Sequence, residues 1–299
     1  MTISRRSFLA RAAATAAATL AGAPAALHAS PPDDRARLAE WVRALRTAGA
    51  TNAGTPFGPW VARAGERMIG APYAANTLEQ YLAQGGSADA EPLTLDLARF
   101  DCVSLVESAL AVARTAAAGE GGWDRFAREV ERMRYRGGRR QGYASRLHYF
   151  SEWIADGARR GLVRDLGPEL GGERDVRPLR FMTEHRASYA ALRDDAVFRA
   201  IAERERALDA SVRTLVPTDR IARVQDRVQS GDVLAFATSI PGLDVTHTGL
   251  AHRGADGVLR VLHAPLSGGA VEISRSTLPE YVAAIRRATG ILIARPLKG

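Results

Sequence analysis

The chain has 299 residues, with 41 Lys and Arg against 33 Asp and Glu and a formal charge of +8. Lys298 is the single lysine, so the basic excess is spread as arginine, without a basic tract of the kind nucleic-acid-binding arms carry. A charge of this sign suits an anionic polymer as partner. Neither a repeat of fixed period nor a low-complexity linker after Pro31-Pro32-Asp33-Asp34 divides the sequence.

The first element is a presequence. Ser4-Arg5-Arg6-Ser7-Phe8-Leu9 matches the twin-arginine export pattern, and a weakly apolar, alanine-rich run follows at 12–26. Small residues at Ala23, Ala25 and Ala29 offer cleavage points, so residues 1–29 are expected to leave as a signal peptide and 30–299 to reach the periplasm. The apolar run is shorter than the ~20 residues a spanning helix needs, and no cysteine near it can carry a lipid. Loss of Arg5, Arg6 and Arg11 leaves the mature chain still basic.

From 34 to about 160 the apolar residues recur at helical spacing, as in Leu38, Trp41, Val42 and Leu45 and again in Val103, Val106, Leu110 and Val112. Residues 171–210 form an insertion. Its stretch 182–210 is a charged helical pattern, polar enough to lie on the surface as a solvated spacer. From Asp232 onward the pattern is that of strands, at 233–236, 246–251, 258–263, 270–273 and 291–294. Helices first and a sheet second predict an α+β fold in a single domain.

Cys102 is the only cysteine. In an exported chain it has no partner for an internal disulfide, which removes the usual structural reason for its presence. It sits in Arg99-Phe100-Asp101-Cys102-Val103-Ser104, where Asp101 can cap a helix and leave the thiol in the first turn. There, unpaired N–H groups and the helix dipole favour a thiolate. An inert, buried cysteine is the alternative.

His247, in Val245-Thr246-His247-Thr248-Gly249, begins one strand, and His263, in Val261-Leu262-His263-Ala264, ends the next. If the two strands fold back around Arg253-Gly254-Ala255-Asp256-Gly257, both imidazoles reach the same end of the sheet. One can then take a thiol proton while the other orients it.

Taken in order, Asp101-Cys102, Gly231-Asp232-Val233, His247-Thr248-Gly249 and Leu262-His263-Ala264 resemble the papain-like cell-wall peptidases of the NlpC type. Ile69-Gly70-Ala71-Pro72-Tyr73 and the run from Tyr143 through Ser145-Arg146-Leu147-His148 to Trp153 are similar to the N-acetylmuramoyl-L-alanine amidase-like branch. The resemblance implies a papain-like fold with the nucleophile helix packed on a C-terminal antiparallel sheet. It implies Cys102 as nucleophile, His247 as general base and His263 as the residue orienting it. Tyr73 and Asp101 would contact substrate, as would Ser145, Arg146 and His148; Arg146 can hold a stem-peptide carboxylate by two hydrogen bonds, and a structural salt bridge is its alternative. The implied partner is peptidoglycan or a muropeptide, cut by a monomer without metal or cofactor at the bond from N-acetylmuramic acid to L-Ala. A γ-D-glutamyl-diamino acid cut is the alternative.

Two other classes fit parts of the sequence. A zinc amidase would need converging histidines, yet His-Glu-x-x-His is absent and His247 and His252 are five apart, on opposite sides of a strand. A non-catalytic wall-binding module could share the fold and would not depend on Cys102.

Overall fold

In the computed structural model, which describes residues 31–48, 56–119, 122–265 and 269–299, the apolar spacing of the first half becomes, beside short helical turns, five longer helices. These are α1 (Pro31–Thr47), α2 (Gly58–Glu66), α3 (Cys102–Ala117), α4 (Trp123–Arg134) and α5 (Phe150–Arg159). The export motif and the cleavage region lie outside the described residues. Helix α3 is the axis of this half. It is apolar nearly all round and buried from Ser104 to Ala116, so it must be enclosed, and α1, α2, α4 and the sheet enclose it. Its buried charges are satisfied: Arg134 Nε donates to Glu107 over 2.7 Å, and Arg114 Nη2 donates to the carbonyls of Leu162 (2.7 Å) and Leu297 (3.1 Å). The far end of α3 is thereby tied to the last residues of the chain.

The second half supplies strands β1 (Val163–Asp165) and β2 (Glu173–Asp175), helix α6 (Asp195–Leu208) and strands β3 (Arg213–Pro217), β4 (Val233–Thr238), β5 (Val245–Arg253), β6 (Leu259–His263) and β7 (Glu272–Ile273). Helix α7 (Leu278–Ala284) and strand β8 (Ala288–Pro296) close it. The strands form one antiparallel sheet in the order β2-β3-β8-β4-β5-β6-β7, and β1 also pairs with β8. All five expected strands are present; β1, β2 and β3 are additional.

Alternation along β4 sends Val233, Ala235 and Ala237 into the core shared with the helices, and Leu234 and Phe236 into a second core beneath α7. With both faces covered, β4 reads as an unbroken apolar run. Its entry is tight. Gly231 has φ +87°, and a Cβ there would lie 1.9 Å from the Gly58 carbonyl oxygen at the start of α2. Next to it, buried Asp232 is held by Arg295 through Nε (2.9 Å) and Nη2 (2.7 Å). The chain is therefore a mixed α+β protein, helical in its N-terminal half and built on an antiparallel sheet in its C-terminal half. Among the described residues no helix is long and apolar enough to cross a membrane.

The segment 171–210 is more than its stretch 182–210, expected to be a solvated spacer, suggested. It contains β2, α6 and short helical turns at Phe181–Glu184 and Ala190–Arg193, and it builds an apolar cluster of its own. Leu179, Met182, Leu192, Val197, Ile201 and Leu208 pack there with Tyr143 and Tyr149. Glu205, fully buried, accepts from Tyr149 Oη over 2.6 Å and from the Met182 N–H over 3.1 Å. The charges that make the segment look polar are largely paired at its surface, as in Arg180 with Asp209 and Arg186 with Asp195. Its apolar partners come from a distant stretch of chain, which is why local composition misjudges it.

Candidate active site

Helix α3 begins with a capping box. Asp101 Oδ1 accepts the Ser104 N–H at 2.7 Å, and the Asp101 N–H donates to Ser104 Oγ at 2.9 Å. This fixes Cys102, partly buried, as the first residue of the helix. Asp101 thus has a structural task beside the substrate contact expected of it.

Strands β5 and β6 form the anticipated hairpin, with Arg253 opposite Leu259 and Leu250 opposite Leu262. Continued, this register sets His263 beside Gly249, where an added Cβ would come within 3.1 Å of His263 Cβ; glycine leaves that space. The imidazoles meet edge to face, with His247 Nε2 2.9 Å from His263 Nδ1. Phe236, directly across β4 from His247, stacks on its ring at 5.6 Å between centroids. Tyr281 of α7 places its hydroxyl 3.2 Å from His263 Nδ1.

Burial, with the His263 charge adding, pushes His247 down to about 3, and burial alone pushes His263 down to about 4. Both rings are therefore neutral near pH 7.

Thr248, the residue after His247, holds the cysteine: its Oγ1 donates to the Cys102 carbonyl at 2.9 Å. Burial, reinforced by the Asp101 charge, pushes the Cys102 thiol up to about 11, while hydrogen bonds from Thr248 pull in the other direction. The expected bias of the first turn toward thiolate is thus outweighed, and the thiol rests protonated.

Tyr73 arrives by backbone pairing. It forms a parallel bridge with Phe100, and its N–H donates to the Gly269 carbonyl at 2.8 Å. On the other side, Gly70 and Ala71 exchange hydrogen bonds with Val271. Burial, with the charges of Cys102 and Asp101, holds the Tyr73 hydroxyl above its ordinary range, which keeps it a donor.

Ser145, Arg146 and His148 are engaged within the protein. Ser145 Oγ donates to the Gly142 carbonyl at 2.7 Å, and His148 Nε2 lies 2.8 Å from the Tyr143 carbonyl. Arg146 is buried against the Tyr143 ring; its Nη2 donates to Glu79 at 2.9 Å, and its Nε lies 3.6 Å from Glu91. Burial alone would lower its guanidinium, but Glu91, Tyr143 and Glu79 raise it instead. Arg146 is thus an internal ion-pair partner in this structure, the structural alternative that the sequence left open beside a substrate contact.

Three contacting residues escape sequence reasoning. Thr248 lies inside the His-Thr-Gly motif, but nothing local says which way it points. Tyr281 belongs to a helix that the strand pattern of the second half hides. Glu272 falls in an expected strand as an ordinary charge. Among the described residues no three His, Cys, Asp or Glu side chains converge to hold a metal ion. His252 faces away, with Nε2 2.8 Å from Glu66.

A cysteine at a helix start, tied through Thr248 to the strand that carries a paired histidine on an antiparallel sheet, marks the candidate site of this α+β protein. Residues 63–291 match the family model described as AmiA-like, N-acetylmuramoyl-L-alanine amidase-like. The chain belongs to this family. A solved N-acetylmuramoyl-L-alanine amidase from Bacteroides uniformis ATCC 8492 is 30% identical, with a TM-score of 0.73 over 81% of this chain and 99% of that one. A Bacteroides fragilis protein provisionally designated a xylanase is 32% identical, with a TM-score of 0.70 over 78% and 99%. Protein LPG0564 of Legionella pneumophila str. Philadelphia 1, placed in the DUF1460 family, shares the fold at 17% identity, with a TM-score of 0.64 over 88% and 95%. No curated protein matches the sequence.

Proposed function

We propose that this chain is a peptidoglycan hydrolase that cuts the amide between the lactyl group of N-acetylmuramic acid and L-Ala, with Cys102 as nucleophile on a papain-like fold of the NlpC type. The observation that carries the reading is the 2.9 Å contact of His247 with His263, in a chain of the amidase-like family, with Cys102 bound to Thr248 next along the strand. With the thiol pushed up to about 11 and His247 down to about 3, the resting pair is neutral. The proton therefore moves from Sγ to His247 as the thiol attacks the amide carbonyl. The oxyanion forms beside the Cys102 N–H, with Tyr73 as a second donor. His247 returns the proton to the departing L-Ala amine, and water resolves the thioester.

The test is mass spectrometry of a defined muropeptide incubated with residues 30–299. Release of a stem peptide beginning at L-Ala, lost in Cys102→Ala, is the expected result. Fragments beginning at the diamino acid would assign the γ-D-glutamyl bond instead, and binding without turnover in either form would mark a wall-binding module. In the same reading residues 30–299 are one periplasmic catalytic domain exported by the twin arginines, acting as a monomer. Normal periplasmic accumulation of Arg5→Lys with Arg6→Lys would remove that route.

A further inference from the structure

We propose that Glu272 is a positioning residue that selects the tautomer of the histidine pair; this rests on the reading of His247 as the general base. Glu272 stands directly opposite His263 in the β6–β7 pairing, and its Oε1 lies 3.9 Å from His263 Nε2. His247 Nδ1 and His263 Nε2, the outer nitrogens of the two rings, are buried and have no hydrogen-bond partner. The pair is thus a two-ring chain with one end open and the other facing a carboxylate.

Only one proton fits between the two neutral rings, and its position decides what His247 can do. If His247 Nε2 carries it and donates to His263 Nδ1, His247 Nδ1 is a bare lone pair able to accept a proton. His263 then carries its own proton on Nε2, facing Glu272. If instead His263 Nδ1 carries the shared proton, His247 Nδ1 is already protonated and cannot act as a base, while a bare His263 Nε2 lone pair faces the carboxylate. Attraction favours the first arrangement and repulsion disfavours the second. Tyr281 does not discriminate, because its hydroxyl can donate to Nδ1 or accept from it.

During thiol attack the S–H bond breaks, a bond forms from the proton to His247 Nδ1, and the electron pair stays on sulfur for the new bond to carbon. His247 becomes an imidazolium whose Nε2–H remains bonded to His263. Glu272 keeps its position and takes no proton.

The Glu272 side chain is 56% exposed, so its leverage is that of a screened charge, about 5-fold in an equilibrium. The test is ring 15N–1H NMR of the full mature chain at pH 7, with kinetics on the same samples. In the wild type His247 should be the Nε2–H tautomer. Glu272→Lys should move the population toward Nδ1–H and lower kcat by roughly 5-fold or more, leaving KM unchanged; Glu272→Ala should do less, and Glu272→Asp should recover part of the loss. At 1 M NaCl the wild type and Glu272→Lys should converge. Unchanged tautomers in Glu272→Lys and Glu272→Ala would overturn the proposal. The NMR arm is repeated in Cys102→Ala: turnover surviving in that variant would sink the nucleophile reading, while the tautomer readout would still decide the role of Glu272.

Discussion

Thr248 Oγ1 donates to the Cys102 carbonyl across 2.9 Å, joining the first residue of α3 to the strand that carries His247. Residues 146 positions apart are locked together by one hydrogen bond. Thr248→Val keeps the shape and removes the donor. It should cost about 1 kcal/mol of stability and, by letting the thiol drift, lower kcat by roughly 10-fold. Unchanged kcat in a variant shown to be folded would mean that the helix start is held by its cap alone.

Cys102→Ala should abolish turnover while changing stability by less than about 1 kcal/mol, since a partly buried thiol at a helix start contributes little packing. Chemical denaturation alongside a muropeptide assay checks both. Activity lost only in proportion to folded protein would return the residue to the class of inert core cysteines.

The histidines should be unequal. In the proposed mechanism His247→Ala removes the base, and it should lower kcat by about 10²–10⁴-fold. His263→Asn can keep a hydrogen bond to His247 and should retain measurable rate. Equal losses at both positions, reversed by added zinc, would point to metal ligation.

The same residues set a pH dependence of stability. His247 and His263 titrate at about 3 and about 4 when folded, against 6.5 when unfolded. Below pH 6.5 the unfolded chain takes up protons that the native state refuses, so this contribution is present above 6.5 and is lost as pH falls. Buried Asp232 and Asp244, raised chiefly by desolvation, act in the opposite direction, so the comparison must be with a variant. Relative to His247→Gln with His263→Asn, the wild type should lose up to about 2 kcal/mol per histidine between pH 7 and pH 5. Denaturant titrations at the two pH values measure it, and a difference of the opposite sign would refute the assignment.

Arg146→Met should destabilise by about 3–5 kcal/mol, because it leaves Glu91 buried without its cation and Glu79 with only the Tyr143 hydroxyl. KM per folded molecule should hardly move. A stable variant with a large rise in KM would restore Arg146 to the substrate.

The hairpin was readable because strand alternation and a five-residue turn fix where His247 and His263 end up, whatever surrounds them. The start of α3 was equally readable, since Asp101 and Ser104 form a box through contacts three residues apart. Strands β1 to β3 were not: they are three to five residues long, and β2 is charged throughout, so only pairing with β8 and with one another makes them strands. Glu205 looked like one charge among many on a polar helix. Its burial depends on Tyr149, 56 positions earlier, and no local pattern encodes such a partner.

Helix α3 joins the centre of the protein to Cys102. At 16 residues it is a rod of about 24 Å, with the thiol at one tip and Arg114 clamped to Leu162 and Leu297 near the other. A rod enclosed on every side cannot bend to absorb an error, so a displacement at the clamp is transmitted along its length to the sulfur. Alterations at Arg114 or at the chain's last residues should accordingly register as changes in reactivity at a position they never touch.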